Sequence, residues 1–143
     1  MWRLTWLFFS AMLLASLPVS ALSVYVFHDA GEPFNLAFIS LTTEAIMFSL
    51  VVSGLFCLFI FLGKKLIRQP AAPPNLRLVC CLGIATMILQ YPFDFAARVW
   101  AHAISDKLLA VYMLLSPVIS AAIVMAYPLF QSRHAGHPEG AGL

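Results

Sequence analysis

Read as a string of apolar and polar positions, the chain divides into four long oily runs joined by three short polar connections. The first run, Leu4 to Val26, carries no charge, and the second, Leu36 to Gly63, carries one, Glu44. The third extends from Leu78 to Ala101 and the fourth from Leu108 to Phe130. Each is close to the roughly 20 apolar residues that a helix needs to cross a hydrocarbon core about 30 Å thick. A backbone in lipid must satisfy its own hydrogen bonds, and the period-two alternation of a membrane barrel is absent, so the runs are expected to be helices over about 4–26, 36–63, 78–101 and 108–130. The remaining "QSRHAGHPEGAGL", residues 131–143, reads as a flexible tail.

Composition sharpens this reading. The chain is 62% hydrophobic and only 10% charged, with a mean hydropathy of +0.94, whereas about a quarter of an average soluble domain is charged. The expected fold class is an all-α integral membrane protein, a four-transmembrane-helix bundle forming one membrane domain over residues 1–143. One alternative stays open. "MWRLTWLFFSAMLLASLPVSA" has the basic start, apolar stretch and small residues, Val19 and Ala21, of a secretory signal, and cleavage after Ala21 would leave three helices. The apolar run continues through "LSVYV", beyond the signal core of about 7–15 residues, which favours a retained helix.

Charge gives the direction. Lys64, Lys65, Arg68 and Arg77 gather in the second connection, Arg3 and Arg133 lie towards the two ends, and the first connection holds only Asp29 and Glu32. Positive residues favour the cytoplasmic face, so both termini and the middle connection are expected there, in a bacterial-type inner membrane. The middle connection is stiffened by Pro70, Pro73 and Pro74 and reads as a spacer. Its cations are expected to hold anionic headgroups, at about 1 kcal/mol each, or to touch a partner.

The one polar interruption of the third run is "YPFDFAARVW". At about 1.5 Å per residue, Asp94 and Arg98 lie about 24 and 30 Å above Leu78, and Glu44 lies about 28 Å above Gly63. The three charges therefore share a layer near the outer boundary, with Gln90 on the same stripe of the third helix at about 18 Å. Asp94 and Arg98 stand in the favourable i,i+4 order. Three readings follow: interfacial residues snorkelling into headgroups beside the belt aromatics Tyr91 and Trp100, a structural cluster of Glu44, Asp94 and Arg98, or a functional intramembrane carboxylate. Pro92 is expected to bend the helix just before Asp94.

Other polar positions read as packing. Ser49, Ser53 and Cys57 recur every four residues on the second helix, and Ser116 and Ser120 do so on the fourth, giving small-residue faces that let helices approach closely. Pro18 and Pro117 are expected to kink their helices. Cys57, Cys80 and Cys81 form no CxxC pair and read as structural thiols. His134, His137 and Glu139 read as solvated tail rather than a metal site, and His28 and His102 fall near the outer helix ends. No cofactor, metal or nucleic-acid partner is expected, and no nucleotide-binding or hydrolase motif is present. The expected function is a non-enzymatic interaction or assembly subunit, or an immunity-type binder, packing laterally through the small-residue faces against another integral membrane protein or a second copy. The alternative is a small oligomeric transporter or channel that uses Glu44 as a proton- or cation-coupled carboxylate.

Overall fold

A computed structural model describes the backbone over residues 1–27, 33–67, 75–99 and 105–135, and the side chains there apart from 27, 67, 91–99, 105–106 and 132–135. Four helices result: α1, Trp2–Phe27; α2, Phe34–Ile67; α3, Leu76–Val99; and α4, Ser105–Ala135. The described residues contain no strand.

Three of the helices are long and apolar enough to cross a membrane, through Trp2–Val26, Phe34–Leu66 and Lys107–Gln131. The described apolar part of α3, Leu76–Gln90, is shorter. The outside of the bundle is also apolar: Leu14, Leu22, Met47 and Leu66 are all exposed. Such a surface would be a liability in water and is ordinary in lipid.

The helix ends extend past the hydrophobic runs for local reasons. Asn75 caps α3 by accepting a hydrogen bond from the Leu78 amide through Oδ1 at 3.2 Å, so the helix begins at Leu76, not Leu78. At its far end α2 continues past Gly63 to Ile67, and Lys64 and Lys65 in its last turn suit the negative end of the helix dipole. Pro18 lies inside α1, and Pro117 and Pro128 lie inside α4, without ending either helix. The threonine hydroxyls of the helix interiors bond back within their own helices, from Thr42 to the Phe38 carbonyl at 2.7 Å and from Thr86 to the Leu82 carbonyl at 2.8 Å.

Lateral packing follows a ring order: α1 lies against α2 and α3, and α4 against the same two helices. Specific contacts fix the directions. Phe8, early in α1, stacks on Phe56, late in α2, with ring centroids 4.3 Å apart, so these helices run antiparallel. Phe48, near the middle of α2, stacks on Tyr112, two turns into α4, at 6.2 Å, and further along both helices Gly63 meets Met125, so these two run parallel. α1 and α3 also run parallel, since Gly83 lies against Phe8 and Ala11 and, further along both helices, Gln90 shares a crevice with Ser16 and Ser20. The core is filled by Phe8, Met12, Val52, Phe56, Ile60, Val79 and Met87, each at most 2% exposed.

Candidate functional site

Polar side chains converge at one place between three helices. α1 contributes Ser16 and Ser20, α2 contributes Glu44, and α3 contributes Gln90. They share a crevice with Leu41, Ala45 and Met87. Its free volume is about 20 Å³, room for a single water, which needs about 10–15 Å³.

Burial within the crevice is graded. Ser16 is 1% exposed, Ser20 3% and Gln90 9%, whereas Glu44 is exposed at its edge. The Ser16 hydroxyl donates to the Leu13 carbonyl at 2.7 Å, and so turns a lone pair rather than a proton toward the space. A carboxyl group at the mouth, a buried amide and two hydroxyls offer donors and acceptors enough to hold one water.

Of the four polar residues singled out inside the membrane, Glu44, Gln90, Asp94 and Arg98, the crevice brings Glu44 and Gln90 together. Counting helical rise separates them by about 10 Å. The crevice closes that gap because it spans a full turn of α2, from Leu41 to Ala45, and a rise count ignores helix tilt and side-chain reach. Asp94 and Arg98 lie on the helical backbone of α3, but their side chains fall outside the described residues, as do those of Tyr91 and Pro92. Ser16 and Ser20 were missed by sequence reasoning. Their i,i+4 spacing on α1 is the same small-residue signal that marked α2 and α4.

The marked small-residue positions line the inside of the bundle. Ser49 and Ser53 of α2 and Ser120 of α4 are buried, and Cys57 and Ser116 are half-buried. Ser49 donates to the Ala45 carbonyl at 2.7 Å. Ser53 Oγ is buried with no partner among the described residues. These faces hold the protein's own helices together.

Tyr112 of α4 is a second residue that pattern reading overlooked. Its hydroxyl donates to the Thr86 backbone carbonyl on α3 at 2.6 Å, while its ring stacks on Phe48 of α2. One side chain therefore ties three helices, one turn of α3 away from Gln90. A lone tyrosine near the start of an apolar helix is its only sequence signal.

Of the basic residues, Lys64, Lys65 and Arg77 are exposed at one end of the bundle, and Arg68 lies outside the described residues. Cys57, Cys80 and Cys81 are free thiols. Among the described residues no group of three or more potential metal ligands occurs. His28, His102, His137 and Glu139 lie outside the described residues, as does the side chain of His134. No family model, curated protein or solved structure matches the chain.

Proposed function

We propose that the chain is a four-span membrane protein that acts by binding another integral membrane protein, as a small assembly or immunity-type subunit. Both ends and the basic middle connection face the cytoplasm in this reading, which rests on the distribution of Lys and Arg. The observation that carries it is the filled interior. Phe8, Met12, Phe56, Ile60 and Met87 occupy the space between the helices, and the polar crevice is the size of one water. A bundle of this kind offers a solute no room within a single copy, and its working surface is its outside.

The partner-facing surface then belongs to exposed apolar positions. The inward faces of Ser49, Ser53 and Ser120 are already occupied. On α2 the exposed candidates are Met47, Leu50 and Val51. Purification of the tagged protein in mild detergent should recover a membrane protein in fixed ratio, and bulky polar substitutions at Leu50 and Val51 should release it without unfolding the bundle. Recovery of the chain alone, at native expression and without such a companion, counts against the reading. Cysteine labelling should also find an introduced N-terminal thiol on the cytoplasmic side.

A second reading draws on one observation, the exposure of Glu44 at the edge of a crevice shared with Gln90 and two serines. An oligomeric transporter would use that carboxylate as its proton- or cation-linked group. Glu44→Gln separates the two readings. Loss of flux in proteoliposomes with assembly intact supports transport, and loss of the partner supports the subunit. A double-mutant cycle between Glu44→Gln and Arg98→Ala tests the outer charge cluster, since strictly additive effects mean that the two side chains never meet.

A further inference from the structure

Between α1 and α3 lies a groove distinct from the polar crevice. Leu7, Ala11, Leu14 and Pro18 line it on one side, and Cys80, Ile84 and Ile88 on the other. Its volume is about 400 Å³. From Leu7 to the upper end at Val19 it runs about 18 Å at 1.5 Å per residue, close to the 15 Å or so of one leaflet of a 30 Å hydrocarbon core.

We propose that this groove binds one acyl chain of an anionic phospholipid, with the lipid phosphate held by Arg3 and Arg77. The groove is open along its outer side, and its length suits one acyl chain of a leaflet. Its walls offer that chain only apolar surface apart from Ser10 and Cys80.

Charge decides which lipid. Arg3 precedes Leu7 by four residues and Arg77 precedes Cys80 by three, so each arginine lies one turn beyond the groove on the stripe that lines it. The parallel register that sets Gly83 against Phe8 and Ala11 brings the two arginines to one level. Both are exposed. Among the described side chains the only acid is Glu44, and it stands at the opposite end of the bundle beside Ser20 and Gln90. Two guanidinium groups at the headgroup level, with no acid beside them among the described side chains, match a phosphodiester, which accepts paired hydrogen bonds from each. A zwitterionic headgroup would bring a cation to the same place.

The test is native mass spectrometry of the detergent-purified chain titrated with phosphatidylglycerol or with phosphatidylcholine of the same acyl length. Phosphatidylglycerol should be retained about 25-fold more strongly, about five-fold for each arginine. Replacing both exposed arginines, R3Q with R77Q, should lower the preference for phosphatidylglycerol well below that of a K64Q/K65Q protein, which keeps the two cations that adjoin the groove. Ser10→Phe, which fills the groove from an exposed position, should abolish retention with the arginines intact and the thermal melt unchanged. Equal retention of the two lipids overturns the proposal, as does an R3Q/R77Q protein that keeps the wild-type preference or the preference of the K64Q/K65Q protein. A disulfide formed between two copies through Cys80 in lipid-free detergent would assign the groove to self-association instead.

Discussion

The two parallel helix pairs of this bundle each close on a glycine, and they close differently. α1 meets α3 at Gly83, where an added Cβ would stand 2.9 Å from the Phe8 carbonyl oxygen and 2.9 Å from Ala11 Cβ. α2 meets α4 at Gly63, where the neighbour is the sulfur and terminal methyl of Met125. The first contact is backbone against backbone and cannot give. The second is the far end of a flexible side chain that can swing aside. Small residues thus perform two tasks here: at Gly83 they set how near two helices come, and at Gly63 they leave space that a thioether fills.

That contrast also places the cavities. α1 and α3 are pinned at Gly83, and the apolar groove runs along the outside of their seam. The α2/α4 seam is occupied by the Phe48–Tyr112 stack, with Met125 over Gly63 at its other end.

Substitutions can break or sharpen the comparison. The largest effect is expected from Gly83→Val, which forces the backbones of α1 and α3 apart at an overpacking cost of about 1–3 kcal/mol, read as a lower thermal midpoint in detergent. A variant that melts with the wild type would show that the close approach is not a constraint. Tyr112→Phe keeps the ring stack and removes the bond to the Thr86 carbonyl, so chemical unfolding in mixed micelles should show a loss of about 0.6 kcal/mol. The smallest change belongs to Gly63→Ala, expected within about 0.5 kcal/mol of wild type in the same measurement. If Gly63→Ala costs as much as Gly83→Val, the two seams close by one rule and the distinction drawn here disappears.

Much of the fold was legible in the sequence. The length and spacing of the apolar runs gave four helices, and their antiparallel succession follows from short connections between long rods. The ends were less legible, because they depend on groups outside the oily pattern. Asn75 caps α3 two residues before the hydrophobic run begins, and α2 keeps its helical hydrogen bonds through Lys64 and Lys65 because neither lysine breaks a helix.

The site was legible in halves. Glu44 and Gln90 stand out as polar residues in apolar runs, so the pattern found both. It did not find Ser16, Ser20 or Tyr112, which are unremarkable along the chain and matter only through what lies opposite them. The small-residue face of α2 was expected to meet another membrane protein or a second copy, whereas Ser49 and Ser53 are buried among the protein's own helices; periodicity alone does not distinguish the two.

By itself, then, the sequence determined that the chain is apolar and helical, how many helices it forms, and which end of the bundle is basic, because these follow from the solvent that each stretch prefers. Only the tertiary structure decided who stands beside whom: that α4 joins α2 and α3, that Ser16, Ser20, Glu44 and Gln90 share a crevice, and that a groove opens between α1 and α3. The reason is that helices uniformly apolar around their circumference lose little by turning any face inward when lipid lies outside. The choice falls to shape, to the few atoms removed at a glycine and the few added by a tyrosine.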